Sequence, residues 1–221
     1  MTVCASWPDN PIMGASYHTD TFDKIPEEKR ERILRAAAEA LGREGISGIR
    51  MAEIAKSAGI SHGSLFSYFP TKDHLVRAIV SRGADMERER FDVPPSGDFK
   101  SILETVLDSA WETASDEEGL ISLWLSLSLR ENARFADDVL PLERDAAQRW
   151  SKLVDTARDE GGIDSRLDPR FVAFLLDAVA AQLMKSRASD LERKKFDLVL
   201  PDIKDPAAFI ARNLAALLRR E

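Results

Sequence analysis

From Pro26 onward the apolar residues recur at helical spacing. Ile33, Leu34, Ala37, Ala38 and Leu41 form one stripe. Pro26 opens it, since its missing N–H costs nothing in a first turn, and Glu27 and Glu28 suit the positive helix end. Gly42 and Gly45 are expected to end it. Met51, Ile54, Ala55 and Ala58 make a shorter stripe, with Gly59 at the position where a left-handed residue often follows a helix. Ile60 is a single apolar plug. Ser61 is a good N-cap for a third helix, His62 to about Phe69, which Pro70 stops. Thr71 caps a fourth, with Leu75, Val76, Ile79 and Val80 on one face. Further striped segments are predicted at about 99–114, 118–131, 135–160, 168–187 and 206–220. Breaks fall at 94–97, 116–119, near Asn132, at Gly161-Gly162 and across 188–206, and Pro141 is expected to kink or split its helix. No alternating apolar–polar run survives, so no sheet is predicted. Residues 1–23 show no periodicity and hold Pro8, Pro11 and Gly14; they read as a disordered tail, and Cys4 within it is assigned no chemistry.

Composition narrows the picture. The chain has 221 residues, enough to bury a core without disulfides or metals. One Cys and three dispersed His (His18, His62, His74) offer no disulfide and no metal spacing, so no cofactor or metal is expected. No apolar run is long enough to cross a bilayer, and no base precedes Lys24, so a cytoplasmic protein without a membrane partner is expected. The net charge is −7, which excludes a uniformly basic coat. The charge is uneven, however. Residues 1–23 carry three acids and no base, residues 24–90 carry 13 bases against 10 acids, and residues 91–221 carry 18 against 25. One mildly basic segment in an acidic protein hints at an anionic partner at one end.

Residues 51–69 then read as helix, three-residue turn, helix. Ile54, Ala55, Ile60, Leu65 and Phe69 can meet beneath the crossing. That leaves His62, Gly63, Ser64, Ser67 and Tyr68 on the outer side, small or polar enough for a helix to seat in a major groove. On this pattern alone an ordinary helical hairpin serves equally well.

Residues 30–80 resemble the N-terminal DNA-binding domain of the TetR family of bacterial transcription regulators. The matching text is Glu53-Ile54-Ala55, Ala58-Gly59-Ile60-Ser61, Gly63-Ser64-Leu65-Phe66-Ser67-Tyr68-Phe69 and Thr71-Lys72-Asp73-His74-Leu75. The resemblance implies that the helix at 62–69 is the recognition helix. Ser64, Phe66 and Tyr68 fall where the family touches DNA, and Tyr68 and Lys72 where it meets backbone phosphate. Phe66 replaces the commoner Tyr and so lacks a hydroxyl. Arg50 replaces the usual Thr cap, and its cation either meets phosphate or stays solvated. His62 opens the recognition helix and is the candidate base reader.

The resemblance also assigns ligand sensing and dimerisation to the rest of the chain. The 168–187 segment is apolar almost all round, as for a helix buried on two sides. With 206–220 it is expected to build an intermolecular four-helix bundle, and Phe171, Leu175, Ala178, Val179, Leu183, Phe209, Leu214 and Leu217 are the interface candidates. Trp111, Trp124 and Trp150 lie on three helices; they are either core or the walls of a pocket for a small apolar or aromatic ligand, with Arg130 and Phe174 as further candidates.

The expectation is therefore an all-α protein. A disordered tail (1–23) precedes a three-helix helix-turn-helix domain (24–71), joined through a connecting helix (72–90) to a larger helical ligand-binding and dimerisation domain (72–221). Its expected role is that of a DNA-binding repressor that holds a palindromic operator as a homodimer and is released by a ligand. The rivals are a helical protein-interaction module without DNA binding and an all-α enzyme. The chain holds no nucleophile-elbow or phosphate-loop text, which argues against the enzyme.

Overall fold

The computed structural model describes residues 17–91 and 98–219, and among these it is all helix. The order is α1 (Asp20–Asp23), α2 (Glu27–Gly48), α3 (Met51–Ser57), α4 (His62–Tyr68), α5 (Lys72–Phe91), α6 (Phe99–Asp116), α7 (Glu118–Leu127), a 3₁₀ helix (Arg130–Phe135), α8 (Ala136–Asp159), α9 (Pro169–Ala188), α10 (Asp190–Val199) and α11 (Pro206–Leu218). Helix starts follow local chemistry. Ser61, Asp98, Asp168 and Asp205 each accept a backbone N–H at a helix N-terminus. Gly45, at φ 75°, breaks α2 near the expected point. Gly42 does not end the helix. It sits there because α7 crosses α2 backbone to backbone, and a Cβ on Gly42 would lie 2.6 Å from the Gly119 carbonyl oxygen.

Two clusters hold the fold. One gathers α1 to α5 and continues into α7, Phe135 and Leu142. The other joins α6, α8, α9 and α11 around Leu103, Trp150, Leu176 and Ala211. The helix-turn-helix core thus runs on into α7 instead of closing at residue 71. An ionic joint ties α2 and α5 to the corner between α6 and α7. Arg82 of α5 donates Nη1 and Nη2 to the two oxygens of Glu117 at 3.2 and 2.9 Å, and its Nε to Glu31 of α2 at 2.8 Å. Arg35 of α2 adds a bond to Glu117 at 3.1 Å. Arg82 and Glu117 are both buried, so either one left alone would be an uncompensated buried charge.

Several expectations change. Residues 17–23 are not a tail. Phe22 is 1 % exposed and its ring lies 4.7 Å from Phe69 and 5.7 Å from Tyr68. The sequence hides this because four helical residues and one aromatic make no period; residues 1–16 of the expected tail lie outside the described residues. The 188–206 break contains α10, whose residues are none of them buried and so leave no apolar stripe to read. The stretch near Asn132 is a 3₁₀ helix, where the Asn132 amide donates to the Ser126 carbonyl at 2.8 Å. Pro141 neither splits nor ends α8, which runs unbroken from 136 to 159.

Candidate nucleic-acid interface and ligand cavity

Helices α3 and α4 meet over Ile54, Ala55, Leu65 and Phe69, all buried, with Ile60 packed against them. Gly59, at φ 66°, supplies the left-handed turn between them. Ser61 Oγ accepts from the Ser64 N–H at 3.0 Å and shares a 2.8 Å bond with the Ser64 hydroxyl. The start of α4 is therefore fixed from within. His62, Gly63, Phe66 and Ser67 face solvent, while Ser64 is half-buried. Phe66 is 41 % exposed and stands edge-on to His62, centroids 4.8 Å apart. Together they form a T-shaped aromatic pair on the outer face. A Cβ on Gly63 would meet nothing nearer than Ser61 Oγ at 4.0 Å, so the fold itself does not demand glycine there.

Tyr68 departs from expectation. It is 5 % exposed, held under Phe22 rather than turned outward. Only its hydroxyl reaches a polar group, the Lys29 ammonium at 3.4 Å. Lys29 therefore brings a cation to the end of α4, a residue that sequence reasoning passed over because it lies in the α2 stripe region. Lys72 is half-buried and donates to the Ile49 carbonyl at 3.0 Å, capping the end of α2. Arg50 is exposed. A guanidinium cannot accept, so the start of α3 keeps only half of a capping box, in which Glu53 accepts the Arg50 N–H at 3.3 Å. The other end of α4 is closed from α1. The Thr19 N–H donates to the Tyr68 carbonyl at 3.0 Å and its hydroxyl to the Ser67 carbonyl at 2.5 Å. Just before it, the Tyr17 hydroxyl donates to Asp138 of α8 at 3.4 Å, the same carboxylate that Arg77 of α5 holds at 2.7 Å.

The larger region contains a cavity of about 240 Å³ between α5, α6, α7, α8 and α9. Met86, Leu120, Ile121, Trp124, Trp150 and Met184 give it apolar walls, and Glu143, Asp177 and Lys185 polar points. Trp124 donates its indole N–H to Glu143 Oε1 at 3.0 Å. Burial first, and the charge of Asp177 after it, push the Glu143 carboxyl up, against the Trp124 bond. Burial likewise pushes Asp177 up, against Trp150 and Lys185. A larger cleft of about 560 Å³ lies between α2 and the α6–α7 corner, but its lining is ionic and small residues with no aromatic wall.

Trp124 and Trp150 thus share one cavity, whereas three other ligand candidates do not join them. Trp111 packs into the second core beneath Arg187, 5.1 Å away. Arg130 is exposed on the 3₁₀ helix, and Phe174 is 69 % exposed on the outer face of α9. Among the interface candidates, Phe171, Ala178 and Leu217 are exposed and Leu175, Val179 and Phe209 half-buried. Leu183 and Leu214 instead face inward, buried in the second core, because α6 and α8 cover that side of the pair.

No group of three or more metal-ligating side chains gathers among the described residues, and none of their helices is long and apolar enough to cross a membrane.

Residues 33–79 match the family model for bacterial regulatory proteins of the tetR family. The chain is 26 % identical over 179 residues to the HTH-type transcriptional regulator UidR of Escherichia coli K12, a match covering 79 % of this chain and 90 % of UidR. A TetR family transcriptional regulator from Chloroflexus aurantiacus has a similar fold, at TM-score 0.62 and 20 % identity, covering 92 % of this chain and 99 % of that one. So does FadR of Bacillus subtilis, solved in complex with stearoyl-CoA, at TM-score 0.61 and 17 % identity over 85 % and 96 % of the two chains.

Proposed function

We propose that this chain is a helix-turn-helix transcriptional regulator of the TetR family and a ligand-released repressor. It acts in the cytoplasm on a palindromic operator, as a homodimer. Its recognition helix presents His62, Gly63, Ser64, Phe66 and Ser67 to the major groove, with Arg50, Lys72, Lys29 and the Tyr68 hydroxyl toward phosphate. A two-fold dimer matches half-sites about one helical turn, or a multiple of it, apart.

One observation carries the release step. Helix α7 walls the cavity with Leu120, Ile121 and Trp124, and the same helix is seated on α2 through Gly42 and Gly119. A ligand that moves α7 must also move α2 or break that seat. A hundredfold loss of operator affinity needs about 2.7 kcal/mol of differential binding, within the usual range of coupling. FadR of Bacillus subtilis shares the fold and holds stearoyl-CoA. Here the cavity is small and edged by carboxylates, which does not suit a polyanion of that size.

The dimer rests on the outer faces of α9 and α11. Phe171 and Phe174 stand exposed on one and Leu217 on the other, more apolar surface than solvent favours. The test joins footprinting on DNA flanking the gene to light scattering. A two-fold symmetric footprint bound by a dimer, and a Phe174→Asp variant that is folded, monomeric and unable to footprint, support the reading. A folded wild-type monomer at micromolar concentration, or absence of any footprint, overturns it.

A further inference from the structure

We propose that Phe66 reads the C5-methyl group of thymine, so that the operator is chosen in part by apolar contact; this rests on the reading above that α4 enters the major groove. The methyl is the one apolar group that a base pair shows in that groove. Phe66 is 41 % exposed, and no other large apolar side chain stands exposed among the described residues of α1 to α5. Its phenyl is surface that water does not favour and that a methyl can cover. His62 meets the ring edge-on, centroids 4.8 Å apart, and so braces it from one side.

Other readers on the same helix are few. Helix α4 holds no Arg, Lys, Asn, Gln, Asp or Glu, the side chains that read base edges by hydrogen bonds. Its serines are engaged within the helix. The Ser67 hydroxyl donates to the Ser64 carbonyl at 2.7 Å, and Ser64 and Ser61 share a 2.8 Å bond. That leaves one imidazole and one phenyl to meet the bases. No carboxylate on α4 opposes an approaching polyanion, while exposed Arg50 before α3 and Lys29 beside Tyr68 bring cations to its flanks. A phenyl makes no hydrogen bond to a base edge, so the contact follows the methyl and not the base pair. Uracil lacks that methyl, and cytosine gains it when methylated at C5.

The experiment uses the full-length protein and an operator selected from random duplexes by repeated gel shift. Each thymine, with its symmetry mate in the other half-site, is replaced in turn by deoxyuridine. This removes the methyl and keeps every hydrogen-bonding group. At one pair of positions the affinity should fall about tenfold, the worth of two buried methyl groups. With C·G in place of T·A at that pair, C5 methylation of the cytosine should tighten binding by a similar factor. Phe66→Ala should bind the thymine and deoxyuridine operators equally. Equal affinity of the wild-type protein for thymine and deoxyuridine at every position overturns the proposal, and this arm needs no variant. A thymine preference that folded Phe66→Ala keeps in full overturns it as well, since another group then reads the methyl. If no sequence is selected and no duplex shifts, the regulator reading fails and this inference falls with it. An operator bound as tightly without its methyls as with them sinks this inference alone.

Discussion

Gly42 and Gly119 lie against each other where α2 crosses α7. A Cβ on Gly119 would stand 2.5 Å from the Glu39 Cα and 2.6 Å from its nitrogen, backbone that cannot swing aside. Gly119→Ala should therefore lift α7 off α2 at a cost of about 1–3 kcal/mol, the usual range for overpacking. Thermal unfolding reads the loss, and a gel shift should show weaker operator binding in the same protein. A variant as stable as wild type would mean the seat is not tight.

Gly63→Ala makes the opposite case. The added methyl meets only Ser61 Oγ, at 4.0 Å, and alanine is the better helix former. The fold should keep or slightly raise its stability while operator affinity falls at least tenfold, because the bare backbone at the start of α4 is wanted by the DNA rather than by the protein. Unchanged affinity in gel shift would remove this part of α4 from the groove.

Lys72 has two roles that salt separates. Its bond to the Ile49 carbonyl makes Lys72→Ala cost about 0.5–1.5 kcal/mol of stability. Its charge, if set against phosphate, makes the same variant bind all operators more weakly and flattens the salt dependence by about one unit of slope. A variant that loses stability but keeps the wild-type slope across a salt titration would leave Lys72 a purely structural cap.

The acidic rim of the cavity should be visible in stability against pH. Glu143 and Asp177 are both pushed up in the fold, with Glu87 of α5 and Lys185 of α9 the other ionisable groups lining the space. The native state then holds more protons than the unfolded chain between the ordinary carboxylate range and the raised values. Stability falls as pH rises through that window. Glu143→Gln keeps an acceptor for Trp124 and removes the charge. Its melting temperature at neutral pH should be at least that of wild type, with any gap closing in acid. A lower melting temperature for the Gln variant at neutral pH would contradict this account.

How far the sequence could be read depends on what each residue shows to its neighbours along the chain. Ile54, Leu65 and Phe69 announce themselves as core by spacing, and His62 and Ser67 fall outward by the same rule. Tyr68 does not, because what covers it is Phe22, an aromatic from a stretch with no period of its own. Trp124 and Trp150 are visible as bulky residues on separate helices, but that they share one cavity while Trp111 does not is decided by how α7, α8 and α9 pack. Glu143 and Asp177 look like solvated positions on their own helices. Both stay exposed, and only the packing of α8 against α9 puts them on the lining of one cavity.

The strap from Thr19 to Ser67 and Tyr68 ties the ordering of an early segment to the quality of the surface proposed to read DNA. Helix C-terminal carbonyls need donors, and here they come from some fifty positions upstream. A ligand that binds only the complete surface favours the docked strap by mass action, without touching it. Operator DNA would then slow protease cutting at residues 17–23 in proportion to its occupancy. A chain trimmed to begin at Lys24 would lose Phe22 from the core over Phe69 and Tyr68, and its α4 would fray at the end that Thr19 closes.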